Sequence, residues 1–149
     1  MMTDEIRESM KLDRQLCFPL YAAARKVTGL YTPYLAPLGL TYTQYIVMMV
    51  LWEQERASVG EICRRLMLDN GTVSPLLKKL ENAGYISRNR DSVDDRVVTV
   101  SLTEEGRLLQ EKASAVPSSV GNCIDLAPEK ATELYSLLYE LLGRNTEND

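Results

Sequence analysis

Histidine is absent from the 149-residue sequence. That removes the most common general base, the Ser-His-Asp and Cys-His arrangements and most zinc sites, so an enzyme is not the expected class. Cysteine is scarce. Cys17, Cys63 and Cys123 are an odd number, lie far apart and lack the spacing of metal ligands. In a reducing compartment they are expected as thiols rather than a disulfide framework. Glycine and proline are few, and neither a low-complexity tract nor an internal repeat occurs, which argues against disordered and fibrous classes. No apolar run is long enough to span a bilayer. The opening MMTDEIRESMKLDRQL is too charged for a signal peptide, so a cytoplasmic chain without a membrane partner is expected. Neither a metal nor an organic cofactor is expected.

What is present fits one globular domain, with 45% hydrophobic and 26% charged residues. The net charge of −4 is unevenly spread. Between residues 57 and 102 seven Lys/Arg stand against six Asp/Glu, whereas the flanks carry ten against fifteen. A near-neutral middle with clustered cations between acidic arms is compatible with a local phosphate-binding face.

Periodicity supplies the architecture. Leu16, Leu20, Ala24, Val27, Leu30 and Tyr34 recur at helical spacing between Leu12 and Tyr34, with Pro33 and Pro37 marking the exit. Pro19 implies either a kink or a regular helix that begins near Cys17. Thr41 is placed to cap TYTQYIVMMVLWEQE, which is apolar nearly all round and predicts a buried helix. Ser58 caps VGEICRRLM, with Val59, Ile62, Cys63 and Leu66 inward. Asp69 or Asn70 opens a further helix striped by Val73, Leu76, Leu77 and Leu80 and closed near Gly84. The period then falls to two. Val98, Val100 and Leu102 alternate with Thr99 and Ser101, and with SRNR across the acidic DSVDD tip they predict a β-hairpin. Thr103 starts a helix interrupted by Pro117, and Pro128 opens the last one, striped by Leu134, Leu137, Leu138, Leu141 and Leu142.

Helix, turn, helix, hairpin describes a winged helix-turn-helix, so the expected class is mainly α with a small β-hairpin wing. One domain over 1–149 is expected, with dimerisation helices at about 5–40 and 103–145 around a DNA-reading unit at about 41–102. The helix opened near Asp69 presents Thr72, Ser74, Pro75, Lys78 and Lys79 away from its apolar stripe. Residues near the start of a recognition helix suit base edges, and the lysines one turn on suit phosphates. A merely solvated helix face is the plain alternative. Ser58 at the preceding helix start, and Arg88, Arg90 and Arg96 around the hairpin, complete the candidate contacts. Arginine at a thin hairpin tip suits a narrow minor groove, and Asp94 or Asp95 is placed to hold Arg96 by a bidentate pair. The implied partner is double-stranded, pseudo-palindromic operator DNA bound by a homodimer.

The order of elements and the wing string Asp-Asp-Arg-Val-Val-Thr-Val-Ser-Leu-Thr resemble the MarR family of dimeric winged-helix regulators. The strings LDRQLCFPLYAAARKV, LGLTYTQYIVMMVLWE and LDNGTVSPLLKKLE resemble more narrowly its OhrR branch, repressors that sense organic hydroperoxides. This resemblance implies that Cys17, within Gln-Leu-Cys-Phe, is the peroxide-reactive group. It implies that Tyr31 and Tyr42 of the partner subunit hydrogen-bond its thiolate, a form that a helix N-terminus also favours. Phe18, Leu20 and Tyr21 would form an apolar pocket for the signal. Cys123, in VPSSVGNC, matches the resolving cysteine of two-cysteine members, which forms a disulfide with the partner's sensor after sulfenic acid forms. Taken alone, Cys17 reads first as a small buried hydrophobe, and Cys123 has a surface or half-buried bystander as its plain alternative. Cys63 reads as core. Two other functions remain open on sequence: a MarR-type repressor released by a small phenolic or anionic ligand, and a thiol peroxidase.

Overall fold

Thr41 starts the central helix of the structure, a computed structural model that describes residues 1–144. Its hydroxyl accepts the amide N–H of Gln44, whose side chain in turn accepts the Thr41 N–H, so two orphan donors are satisfied at once. Ahead of this helix lie α1 (Asp4–Ser9), a 3-10 turn at Leu12–Arg14, α2 (Cys17–Gly29), α3 (Thr32–Leu35) and a second 3-10 turn at Ala36–Leu38. The central helix is α4 (Tyr42–Gln54). After it come β1 (Arg56–Ser58), α5 (Val59–Leu66), α6 (Asn70–Asn82), β2 (Ile86–Arg90), β3 (Val98–Leu102), α7 (Glu104–Ala113), α8 (Val116–Gly121) and α9 (Pro128–Leu141).

Val47, Met48, Val50 and Leu51 of α4 are buried, as its all-round apolar sequence predicts. They meet Ile62 of α5, Val73, Leu77 and Leu80 of α6, Val100 of β3, Leu109 of α7 and Val120 of α8 in one core. The sheet has three antiparallel strands in the order β1-β3-β2, rather than the two that alternation indicates. Ala57 of β1 faces Val100, and Ile86 and Arg90 of β2 face Leu102 and Val98. Three residues are too few to show a period, so β1 is visible only through its pairing.

Prolines sit where the chain tolerates them. Pro19 is the third residue of α2, where its missing N–H leaves no internal bond unmade, so the helix begins at Cys17 without a kink. The helix predicted to run to Tyr34 stops at Gly29, and Pro33 opens α3 instead of ending its predecessor. Pro117 likewise sits in the first turn of α8.

The flanks behave differently from the middle. Neither α1, α2 nor α9 contains a buried residue. Leu16, Phe18 and Tyr21 at one end and Leu134, Leu137 and Leu141 at the other are exposed apolar side chains. The predicted dimerisation segment 103–145 and the single domain 1–149 both end outside the described residues. No single described helix is long and apolar enough to cross a membrane.

Candidate nucleic-acid interface and thiol centres

The DNA-reading candidates are built on two capped helices. Ser58 accepts the Glu61 N–H at 3.1 Å, while the Glu61 carboxylate accepts the Ser58 N–H at 2.7 Å. That backbone donor holds Glu61 below the usual carboxylate range. The turn into the next helix passes through Met67, which is left-handed with φ 53°. Asp69, not Asn70, is the cap of α6 and accepts the Thr72 N–H at 2.7 Å. Asn70 is the first helical residue and accepts the Ser74 hydroxyl at 2.8 Å. Because Val73, Leu77 and Leu80 face inward, Thr72, Ser74, Pro75, Lys78 and Lys79 are all exposed on the other side. Pro75 sits inside α6, where it offers no N–H to the carbonyl four residues back.

The wing is held together at its tip. The Asp91 carboxylate accepts the N–H groups of Val93 at 2.7 Å and Asp94 at 3.1 Å. Arg96 donates Nε and Nη2 to the two carboxylate oxygens of Asp94 at 3.0 and 3.1 Å. Of the two acidic candidates Asp94 is therefore the bidentate partner, and Asp95 contributes its carbonyl, which accepts from Arg90 at 2.9 Å. The Arg96 side chain remains 87% exposed. This pair pushes the Asp94 carboxyl down and the Arg96 guanidinium up.

Arg88 is occupied differently from Arg90 and Arg96. Its guanidinium donates twice to Oε1 of Glu81 at 3.1 and 3.3 Å, and its backbone N–H donates to Oε2 at 2.9 Å. It thereby ties β2 to the end of α6 and is half-buried in doing so. Between the wing and the helices lies a cleft of about 570 Å³, lined among others by Ser58, Asn70, Ser74, Arg88 and Arg96. Cys63 is half-buried, packs against the core and also borders this cleft.

All three cysteines are free thiols. Cys17 is the first residue of α2 and is exposed, as are Phe18, Leu20 and Tyr21 beside it. The rings of Tyr31 and Tyr42 are brought together, with centroids 4.9 Å apart, and Tyr31 also meets Tyr45 at 5.7 Å. Burial, and then Tyr31, push the Tyr42 phenol upward, which keeps it a hydroxyl donor. No hydrogen bond joins Cys17 to either tyrosine within the chain among the described residues. Cys123 follows α8, is exposed, and lies 3.5 Å from the Tyr34 hydroxyl.

Tyr34 and Glu81 are the residues that sequence reading misses. Cys123 is 89 positions from Tyr34, and Glu81 and Arg88 lie on different elements, α6 and β2, so no period within one element links either pair.

The model of the transcriptional regulator SarA/Rot family matches residues 29–113. An organic hydroperoxide resistance transcriptional regulator of Bacillus subtilis (strain 168) is 44% identical over 135 residues, which is 91% of this chain and 92% of that protein. AbfR, from Staphylococcus epidermidis, has been solved bound to DNA in overoxidized and reduced forms. Both are 34% identical with TM-score 0.75, covering 92% of this chain and 96% of AbfR. Disulfide-formed AbfR matches with TM-score 0.64 at 34% identity, covering 95% and 99%.

Proposed function

The chain belongs to the MarR family of winged-helix transcriptional regulators and is a DNA-binding, oxidation-sensing repressor rather than an enzyme, and from this we propose that its signal is an organic hydroperoxide read by Cys17. Two copies form the working unit. The apolar faces of α1, α2 and α9, uncovered in a single chain, pack against those of a second copy, and the single-domain chain places one winged module on each side. In the reduced dimer, Thr72, Ser74 and Pro75 face base edges, Ser58, Lys78 and Lys79 hold phosphates, and Arg90 and Arg96 follow the minor groove. Arg88 keeps the wing against α6 through Glu81 and reaches DNA only at its edge.

Cys17 attacks the peroxide and becomes a sulfenic acid, while Tyr31 and Tyr42 of the other subunit supply hydroxyls to the sulfur. Cys123 of the other subunit then displaces hydroxide to give a disulfide. Since a disulfide requires its Cα atoms within about 7 Å, the dimer layer shifts and the winged modules lose their spacing on the operator. The observation that carries the sensor reading is the Tyr31–Tyr42 pair, 4.9 Å apart, in a chain whose exposed apolar layer begins beside Cys17. The better match to DNA-bound AbfR, overoxidized or reduced, than to its disulfide form supports a DNA-competent arrangement of the chain before a disulfide forms.

The test is operator binding before and after cumene hydroperoxide, in the parent protein and in Cys17→Ser. Release in the parent and retention in the variant are expected. Release in both would replace this reading with a reversible ligand such as a phenol or small anion.

A further inference from the structure

The short helix α3 serves two sulfur centres. Tyr31 precedes it and pairs with Tyr42, whereas Tyr34, one turn on, contacts Cys123. The bond network around Cys123 fixes which atom donates. Its Sγ lies 3.3 Å from the carbonyl oxygen of Ser119, which can only accept, so the thiol's single proton is committed there. The Tyr34 hydroxyl, 3.5 Å away, is then the donor to the sulfur. Its phenol is pushed above the ordinary tyrosine value, first by this bond with Cys123, in keeping with a hydroxyl that retains its proton. The ring itself packs against the core, so the hydroxyl is carried on a fixed arm.

We propose that Tyr34 is a positioning residue for the second redox step, a latch that parks reduced Cys123 at the end of α8 until Cys17 is oxidised. The proposal rests on the reading of Cys123 as the resolving thiol. In the first step the Cys17 thiolate takes one oxygen from the hydroperoxide, whose O–O bond breaks, leaving an alcohol after protonation. In the second, the Cys123 sulfur, as thiolate, attacks the sulfenic sulfur. The S–S bond forms, the S–O bond breaks, and hydroxide leaves and is protonated to water. The two thiols thus supply the two electrons that reduce the peroxide. For that attack Cys123 must leave both Ser119 and Tyr34, so the latch slows the second step and leaves the first untouched.

The experiment uses the full chain. In a Cys17→Ser/Cys63→Ser background Cys123 is the only thiol, and its alkylation by iodoacetamide is timed across pH with Tyr34 or Tyr34→Phe. On the high-pH plateau, where Cys123 is thiolate in both proteins, loss of one modest hydrogen bond to the sulfur predicts alkylation about two- to tenfold faster in Tyr34→Phe. Tyr85→Phe, immediately before β2, is expected to leave the rate unchanged. With all cysteines restored, Tyr34→Phe converts sulfenic acid to disulfide faster by a similar factor, at an unchanged rate of Cys17 oxidation. Equal or slower alkylation in Tyr34→Phe overturns the latch, whatever the peroxide does. Faster alkylation with no Cys17–Cys123 disulfide in any protein overturns the resolving reading beneath it.

Discussion

The indole N–H of Trp52 donates to the carbonyl oxygen of Gly106 at 2.9 Å, which fastens α4 to α7. Gly106 is also where α7 crosses Tyr85. A Cβ added there would lie 2.2 Å from the Tyr85 carbonyl oxygen and 3.0 Å from Leu102. Both obstacles cannot swing aside together, because the Tyr85 carbonyl also accepts the Thr103 N–H at 3.1 Å. Gly106→Ala is therefore expected to destabilise the fold by about 3 kcal/mol, the upper end of ordinary overpacking. Trp52 is the sole tryptophan, so its fluorescence reports the same joint during urea unfolding. A midpoint equal to that of the parent protein would show that α7 can back away freely.

The wing separates DNA affinity from stability. Arg96 is highly exposed, so Arg96→Ala is expected to change stability by no more than about 0.5 kcal/mol while weakening operator binding strongly. Lys78→Ala and Lys79→Ala, as phosphate contacts, should each flatten the salt dependence by about one unit and weaken all sequences alike. Undiminished affinity in Arg96→Ala would remove the minor-groove role.

Acid should loosen the wing tip before the core. Asp91 is held below the usual carboxylate range by the Asp94 and Val93 N–H groups, and Asp94 by the Arg96 guanidinium. A carboxyl lowered in the folded state contributes order that is complete above its unfolded value of about 3.9 and is lost as pH falls through the lower folded value. The tip is thus expected to hold at neutral pH and to fray only below about pH 4. Asp94→Asn should show the frayed tip at pH 7. Amide exchange of Val93, Asp94 and Arg96 measures this, and slow exchange in Asp94→Asn would count against it.

Assembly should depend on α9. A carboxylate at Leu138 would be left unpaired in an apolar interface, at a cost of several kcal/mol, about 3–5 by analogy with broken buried pairs. Leu138→Glu is expected to sediment as a monomer and to lose tight operator binding. A folded parent monomer at micromolar concentration would end the two-copy account.

The two thiols should separate by variant. Cys17→Ser is expected to bind the operator normally and to ignore organic hydroperoxide. Cys123→Ser should still form a sulfenic acid at Cys17, lose the cross-linked dimer on a non-reducing gel and over-oxidise to sulfinic acid. Mass spectra of peroxide-treated protein decide the matter, and a cross-link through Cys63 would contradict it.

Much of this was written locally. The caps Thr41, Ser58, Asp69 and Thr103 each act within three residues of themselves, and the apolar stripe of α6 repeats every turn, so both are legible as sequence. The wing alternation was legible for the same reason, being a period of two along one strand. The choices left to the folded chain are those between segments and those between rival neighbours in one turn. Asp94 rather than Asp95 took Arg96, because the Asp91 turn aims its carboxylate at the guanidinium. Glu81 claimed Arg88, β1 joined β3 across more than 40 residues, and Tyr34 met Cys123 across 89. Such contacts carry no period, since their partners become neighbours only when separate helices pack on α4. The sequence determined which elements form, how they are capped and which of their faces are apolar, because those follow from short-range geometry; packing decided which polar groups of separate segments pair, because that pairing depends on distances set by the assembled core.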